Sequence, residues 1–274
     1  MTIPFKFVIS YLPTNDATNG DFAGDPISTA TGELYNAISP DLSLGGPLSL
    51  LFQRYYASQL LANGLSTRLG NNWMHNFEWL LTLNGSQALV TRVGDRTITF
   101  NESGTSWTVA NAEQYDYQLV SGSSGTYQFL DPRTNLIYTF SGTGTTLGNT
   151  SIQDRNGNTL TVALPSNGSS QVSDGLGRSL TFSYDPNSNL LIKVADQTGR
   201  TVSFGYTSGN LTQFTDANGK IETYAYTSAG GEVGLMTSAT LPQGNKPQTQ
   251  TWDQFARVAT QTDSCGNTAA MTYD

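Results

Sequence analysis

An acidic turn recurs along the second half of the chain: Asp154-Arg-Asn-Gly-Asn158, Asp174-Gly-Leu-Gly-Arg178, Asp196-Gln-Thr-Gly-Arg200 and Asp216-Ala-Asn-Gly-Lys220, at intervals of 20, 22 and 20 residues between the aspartates. Internal repetition constrains architecture more than any single motif. The last three turns each lead into an alternating segment that ends on tyrosine, at Tyr184, Tyr206 and Tyr226. The common pattern is D-x-x-G-[RK]-x-x-x-[FY]-x-Y. Two strands of about six residues with two short turns fill such a period, so each unit reads as a β-hairpin.

The repeated residue types have mechanical reasons. Asp154, Asp174, Asp196 and Asp216 can each accept backbone N–H bonds and cap their own turn, while Gly157, Gly177, Gly199 and Gly219 supply the positive φ that other residues resist. The pairs Phe182/Tyr184, Phe204/Tyr206 and Tyr224/Tyr226 are two residues apart and share one sheet face, where stacked hairpins line them into a ladder. The array loosens through residues 241–250 and resumes at Trp252-Asp253-Gln-Phe-Ala-Arg257 and Asp263-Ser-Cys-Gly-Asn267.

Upstream, apolar and aromatic runs of strand length alternate with Gly, Asn, Asp and Ser clusters. Val93-Gly-Asp-Arg96 and Leu130-Asp-Pro-Arg-Thr-Asn135 read as degenerate forms of the same turn. The Gly- and Thr-rich stretch 141–149 is the best internal join. It divides the chain into an extension at 1–20, a β region at 21–150 and the repeat array at 151–274, cut off at its C-terminal end. The fold class is all-β, with antiparallel hairpin repeats forming one continuous curved sheet.

Charged residues make up only 12% of the chain and the formal net charge is −8. The basic patch that phosphate neutralisation requires is absent, which argues against nucleic acid and anionic membranes as partners. Cys265 is the only cysteine, so no intrachain disulfide can form. The opening MTIPFKFVISYL carries Lys6 inside its apolar run, has no basic region before it and no small-residue cleavage site after it, and is not read as a signal peptide. No stretch approaches the length of a membrane span.

Other residues bring a family into view. Gly24-Asp25-Pro26 with the following Thr31-Gly32, the Arg54-Tyr-Tyr run, and Gly70-Asn-Asn-Trp73-Met-His75 resemble the opening segment of Rhs proteins, and the D-x-x-G-R…Y array resembles YD repeats. Asn72 stands where that segment usually has glycine. The resemblance implies a long sheet wound in a spiral into a hollow shell or barrel, as in bacterial Rhs toxins, the BC components of insecticidal toxin complexes and teneurins. It further implies a secreted, bacterial protein that encloses or presents a C-terminal toxin polypeptide, exported by a route this chain does not encode. The implied partners are the rest of the parent shell and its cargo. No motif of the family's self-cleaving aspartyl protease is seen, and the array stops at Tyr273-Asp274. The chain is therefore expected to be a piece of such a shell or an unusually short member.

Chemistry-bearing residues are few. His75 is the only histidine, bracketed by aromatics in Asn72-Trp-Met-His-Asn-Phe-Glu-Trp79, and reads as a packed structural residue rather than a triad member or ligand. Cys265 sits at a variable turn position. The oxygens of Asp154, Asn156 and Asn158 invite a calcium reading, but equivalent repeats place Arg178, Arg200 or Lys220 at the last position, where a cation repels calcium. Glu33, Asp41, Glu78, Asp95, Glu102 and Asp131 are scattered singly, so no acid pair for glycoside hydrolysis can be chosen. No phosphate-binding loop occurs.

These observations lead to no cofactor, no metal and no catalytic residue. The chain is expected to be a non-catalytic shell segment. The alternative is an extracellular carbohydrate-binding or adhesion module, because aromatic side chains on an exposed β face can stack on sugars. An F-x-Y stripe is more often packing than a ligand platform, and a hydrolase acting on envelope polymers comes third.

Overall fold

The structure is a computed structural model and describes residues 22–23, 26–28, 31–92, 96–110, 115–227 and 234–273. Among these, regular structure is β-strand throughout, apart from one 3-10 turn at Ser123–Gly125. Among the described residues no helix is long and apolar enough to cross a membrane. The chain forms two compact units. The first takes in Leu44–Leu50 and Phe77–Leu180; the second takes in the described residues up to Ser43 together with Leu51–Asn76 and Thr181–Asp274.

In the first unit, Leu80–Asn84, Gln87–Arg92, Arg96–Ser103 and Ser106–Val109 form an antiparallel meander. A second meander runs through Gln118–Ser121, Tyr127–Asp131, Leu136–Ser141 and Thr146–Asp154. The long strand Thr146–Asp154, which contains residue 150, joins them. Its first residues pair with the opening strand (Leu147↔Leu81), and its later ones continue to Thr159–Val162 (Ile152↔Leu160). Between the outer strands of the two meanders we find a side-chain contact, the indole N–H of Trp107 on Ser121 Oγ at 2.9 Å, and among the described residues no ladder pairing. The pairings therefore do not close this sheet into a barrel. Its core is built on Leu81, Val90, Phe100, Phe129 and Phe140, all without measurable exposure or nearly so, and on Trp79 stacked on Tyr138 at 3.9 Å.

The chain passes into the second unit inside the strand Ser179–Tyr184. There Leu191–Asp196, Thr201–Thr207, Asn210–Thr215, Ile221–Tyr226, Met236–Thr240, Gln248–Trp252, Val258–Asp263 and Thr268–Ala270 pair in chain order, every pair antiparallel. One residue of a strand is bulged at a recurring place: Thr212, Thr237 and Ala259 each lie in a register shift opposite the strand end that carries Tyr206, Tyr226 or Trp252. Bulges bend a strand and increase its twist, so a bulge in successive hairpins curves the sheet. One face of this array is covered by the N-terminal segment, whose small sheet Tyr35–Ala37, Arg54–Ala57 and Trp73–His75 presents Tyr56, Trp73 and His75 as buried residues.

The stretch at 241–250, where the sequence pattern loosens, keeps the repeat's turn. Gly244 N–H donates to Leu241 O at 2.8 Å and Leu241 N–H to Asn245 O at 2.9 Å, as Gly199 and Asp196 do at 3.1 and 3.0 Å. Pro242 and a positive φ at Gly244 set this turn without an aspartate.

Candidate functional site

The turn carboxylates are used up locally. Asp196 Oδ1 accepts the backbone N–H groups of Thr198 and Arg200 at 2.8 and 3.1 Å and the Thr198 hydroxyl at 2.7 Å, while Oδ2 takes Arg200 Nε at 2.6 Å. Asp174 holds Leu176, Arg178 and the Arg178 side chain the same way. Asp216 accepts the N–H groups of Asn218 and Lys220, both at 2.8 Å. At Asp154 the closing donor is Asn158 Nδ2 at 2.8 Å. Gly157, Gly177, Gly199 and Gly219 all have positive φ, from 77° to 93°. At Asp174 and Asp196 burial opposes the charge, but the donors outweigh it and the pKa is lowered; at Asp154 the Asn158 amide is the chief cause of a lowered value. In the Asp263 turn the exposed Cys265 gives its N–H to the aspartate.

The repeat tyrosines do more than pack. Tyr206 donates its hydroxyl to Leu191 O at 2.6 Å, Tyr226 to Leu211 O at 2.5 Å and Tyr273 to Val258 O at 2.7 Å, each fifteen residues back in the chain. Trp252 takes the same role with its indole N–H on Met236 O at 3.1 Å. The bonds to Leu211, Met236 and Val258 satisfy carbonyls next to the bulges at Thr212, Thr237 and Ala259, where the ladder is disturbed. Sequence reasoning weighed packing and sugar stacking for the repeat aromatics and did not assign them these bonds; the recurrence of a polar-tipped aromatic at the end of each repeat was the signal for them.

The repeat phenylalanines form no simple ladder. Phe182 and Phe204 each lie 5.8 Å from Phe52 of the N-terminal segment, and His75 sits 5.4 Å from both Phe52 and Phe182. Tyr224 contacts Trp73 at 5.0 Å. Aromatics of the opening segment thus interleave with those of the repeats, burying Phe182, Tyr184, Phe204 and Tyr224.

At the centre of this interleaving is a cation absent from the candidate residues. Arg54 has no exposed surface; its Nε and Nη2 reach Asp41 at 2.7 and 3.0 Å, and its Nη1 reaches the Tyr224 hydroxyl at 2.8 Å. The Tyr224 hydroxyl in turn donates to Glu222 Oε2 at 2.7 Å, and the guanidinium lies 3.6 Å over the ring of Phe214. Burial opposes the charge, but Tyr224 and Asp41 outweigh it and raise the Arg54 pKa. Burial likewise raises that of Asp41, against the pull of Arg54. Five donors in a planar fork suit such a site, where lysine would leave acceptors unmet.

The remaining motif residues are structural in their contacts. Asn72 has φ 62°, a left-handed conformation that asparagine tolerates better than most residues and glycine adopts freely, which accounts for the usual glycine at this place. Its amide also donates to Gly234 O at 3.1 Å and its Oδ1 accepts Leu61 N–H at 2.8 Å. Pro26 O accepts Tyr35 N–H, and Thr31 Oγ1 accepts Glu33 N–H at 3.3 Å. Gly24, Asp25 and residues 93–95 lie outside the described residues.

The scattered acids go to separate partners: Glu33 takes the Tyr35 hydroxyl and Gln59 N–H, Asp131 takes Arg133, and Asp41 takes Arg54. Among the described residues no group of three or more His, Cys, Asp or Glu could hold a metal ion.

Residues 24–100 match a domain of unknown function (DUF6531), and residues 206–246 match the RHS repeat. No curated protein matches the chain. The RHS match spans the Asp216 turn, the Tyr226–Leu211 bond and the aspartate-free turn at Leu241, so the recurring geometry and the sequence agree: the chain carries RHS, or YD, repeats.

Proposed function

We propose that this chain is a structural segment of a secreted YD-repeat shell, with no turnover of its own, which encloses or presents a polypeptide carried with it. The observation that carries this reading is where the polar chemistry goes. Turn aspartates spend their hydrogen bonds closing their own turns, and the repeat tyrosines and the buried Arg54 group spend theirs holding strands to one another and to the opening segment. Such an arrangement favours a wall over a reaction centre. Thr268–Ala270 pairs with Val258–Asp263 on one side only among the described residues, and its three residues are exposed. An edge of that kind accepts further hairpins. The partners under this reading are the rest of the shell and its cargo, outside the cell.

The test is protection. The intact gene product is treated with protease, and surviving peptides are identified by mass spectrometry before and after denaturation. A shell yields a polypeptide that survives treatment and becomes digestible once the fold is disrupted; an intact product with no such polypeptide overturns the proposal.

A second reading, glycan binding, draws on Phe255, which is 64% exposed at the tip of a turn, with the Arg257 guanidinium 5.1 Å from its ring and 4.5 Å from that of the half-buried Tyr273. Screening on a glycan array, with Phe255→Ala as control, decides it: binding lost in the variant supports this reading, and silence across a broad array removes it.

A further inference from the structure

Where the fifth side chain of a turn reaches back to the aspartate, it is one of two residues, asparagine or arginine. In the Asp154 and Asp263 turns, Asn158 and Asn267 each place Nδ2 on the aspartate at 2.8 Å and their backbone N–H on its other oxygen at 2.9 Å. In the Asp174, Asp196 and Asp253 turns, Arg178, Arg200 and Arg257 place Nε there at 2.6 to 2.8 Å, with backbone bonds of the same kind. Asparagine and arginine therefore satisfy the turn equally, and turn closure gives no reason for the longer side chain.

The difference lies beyond the turn. Each of the three arginines meets the N-terminal segment. Gly46 lies so close to Arg178 that an added Cβ would stand 2.5 Å from Nη2. Arg200 Nη2 donates to Ser43 O at 3.3 Å. Gly32 lies against Arg257, where an added Cβ would stand 2.5 Å from the arginine Cβ and 2.8 Å from the ring of Tyr273, and Gly32 O accepts Val258 N–H at 2.9 Å. Gly32 and Gly46 have φ of 71° and 115°, so both the space and the backbone call for glycine. The Arg257 guanidinium is itself set 4.5 Å from the Tyr273 ring. At the Asp216 turn the fifth residue is Lys220, which is exposed.

The geometry points to the arginine of the D-x-x-G-R turn as a docking residue that assigns the N-terminal segment its place on the array: the aspartate fixes the side chain in one orientation, and the opening segment is laid against it, Gly46 and Ser43 at the guanidinium of Arg178 and Arg200 and Gly32 along the stem of Arg257. A repeat with asparagine at this position builds the same hairpin without marking a place. This inference stands apart from the shell proposal, since it concerns how the segment finds its register and not what the protein encloses.

Arg257→Asn and Arg200→Asn test it in the whole chain by hydrogen exchange read out by mass spectrometry. Turn amides at 255–257 and 198–200 should keep their protection, because asparagine closes these turns elsewhere, while peptides covering 31–43 should exchange at least about tenfold faster. Loss of protection in turn and segment together, or unchanged exchange in the segment, overturns the inference. In the first unit, Gly46→Ala should disturb residues 44–50, and adding Arg178→Asn should relieve part of that effect by removing the obstructing guanidinium. Simple additivity of the two changes counts against docking, as does failure of all three Arg→Asn variants to fold, since that assigns arginine an indispensable role in the turn itself.

Discussion

The phenol of Tyr226 donates to the carbonyl of Leu211 at 2.5 Å and at the same oxygen accepts the indole N–H of Trp73 at 2.9 Å. One hydroxyl thus holds its own repeat to the preceding strand and to the opening segment. Tyr206 makes the first of these bonds, to Leu191. Tyr226→Phe should therefore cost more than Tyr206→Phe, about 2 against about 1 kcal/mol, because it leaves two groups without their partner. Urea unfolding of both variants measures the difference; equal losses would mean that the Trp73 bond contributes nothing.

Acid should weaken the array through its turns. The pKa values of Asp154, Asp174, Asp185, Asp196, Asp253 and Asp263 are lowered by the bonds they accept. A lowered carboxylate contributes stability that is fully present above its unfolded value, about 4, and is lost as pH falls through the folded one. Asp41 has the opposite sign: its pKa is raised, so its contribution is lost as pH rises through the folded value. With six groups against one, thermal stability should hold from pH 7 to about 5 and fall steeply below about 4. Asp196→Asn, at a side chain with no exposure, should cost about 2 kcal/mol at neutral pH and flatten part of the acid limb. An acid limb unchanged by this substitution would place the titration elsewhere.

How much of this was legible follows from the range over which each interaction acts. The Asp196 turn is local: donor and acceptor are at most four residues apart, so residue types alone disclose it. The turn at Leu241 escaped notice because proline and glycine can set the same backbone without the carboxylate that marks the repeat. Arg54 was visible only as part of a motif. Its partner Asp41 is 13 residues away and Tyr224 is 170, and no periodicity connects them. Phe52 likewise intrudes between Phe182 and Phe204, which the repeat spacing alone would have stacked.

Asn72 separates conformation from hydrogen bonding. Asn72→Gly keeps the left-handed backbone and loses the bonds to Gly234 and Leu61, whereas Asn72→Ala loses both. The glycine variant should cost about 1 kcal/mol and the alanine variant about 1 to 2 kcal/mol more. Thermal melts of the two variants rank them; a glycine variant no more stable than alanine would show that φ does not select this residue.

Removing the cation at Arg54 tests whether its surroundings depend on charge or on volume. Arg54→Leu retains apolar contact with Phe214 but leaves Asp41, whose side chain is 5% exposed, without its guanidinium, and Tyr224 without a donor. Breaking one side of a buried ion pair costs about 3 to 5 kcal/mol, chiefly from the stranded charge. The variant should then recover stability as pH is lowered towards 5, because a stranded, buried carboxylate has a still higher pKa and a raised pKa favours the fold in acid. Adding Asp41→Leu should restore a large part of the loss at neutral pH and abolish that recovery, since two apolar groups replace a desolvated pair. Chemical denaturation at pH 7 and pH 5 of the two single variants and the double one distinguishes the outcomes. Additive losses with no pH dependence would show that Arg54 acts through packing alone.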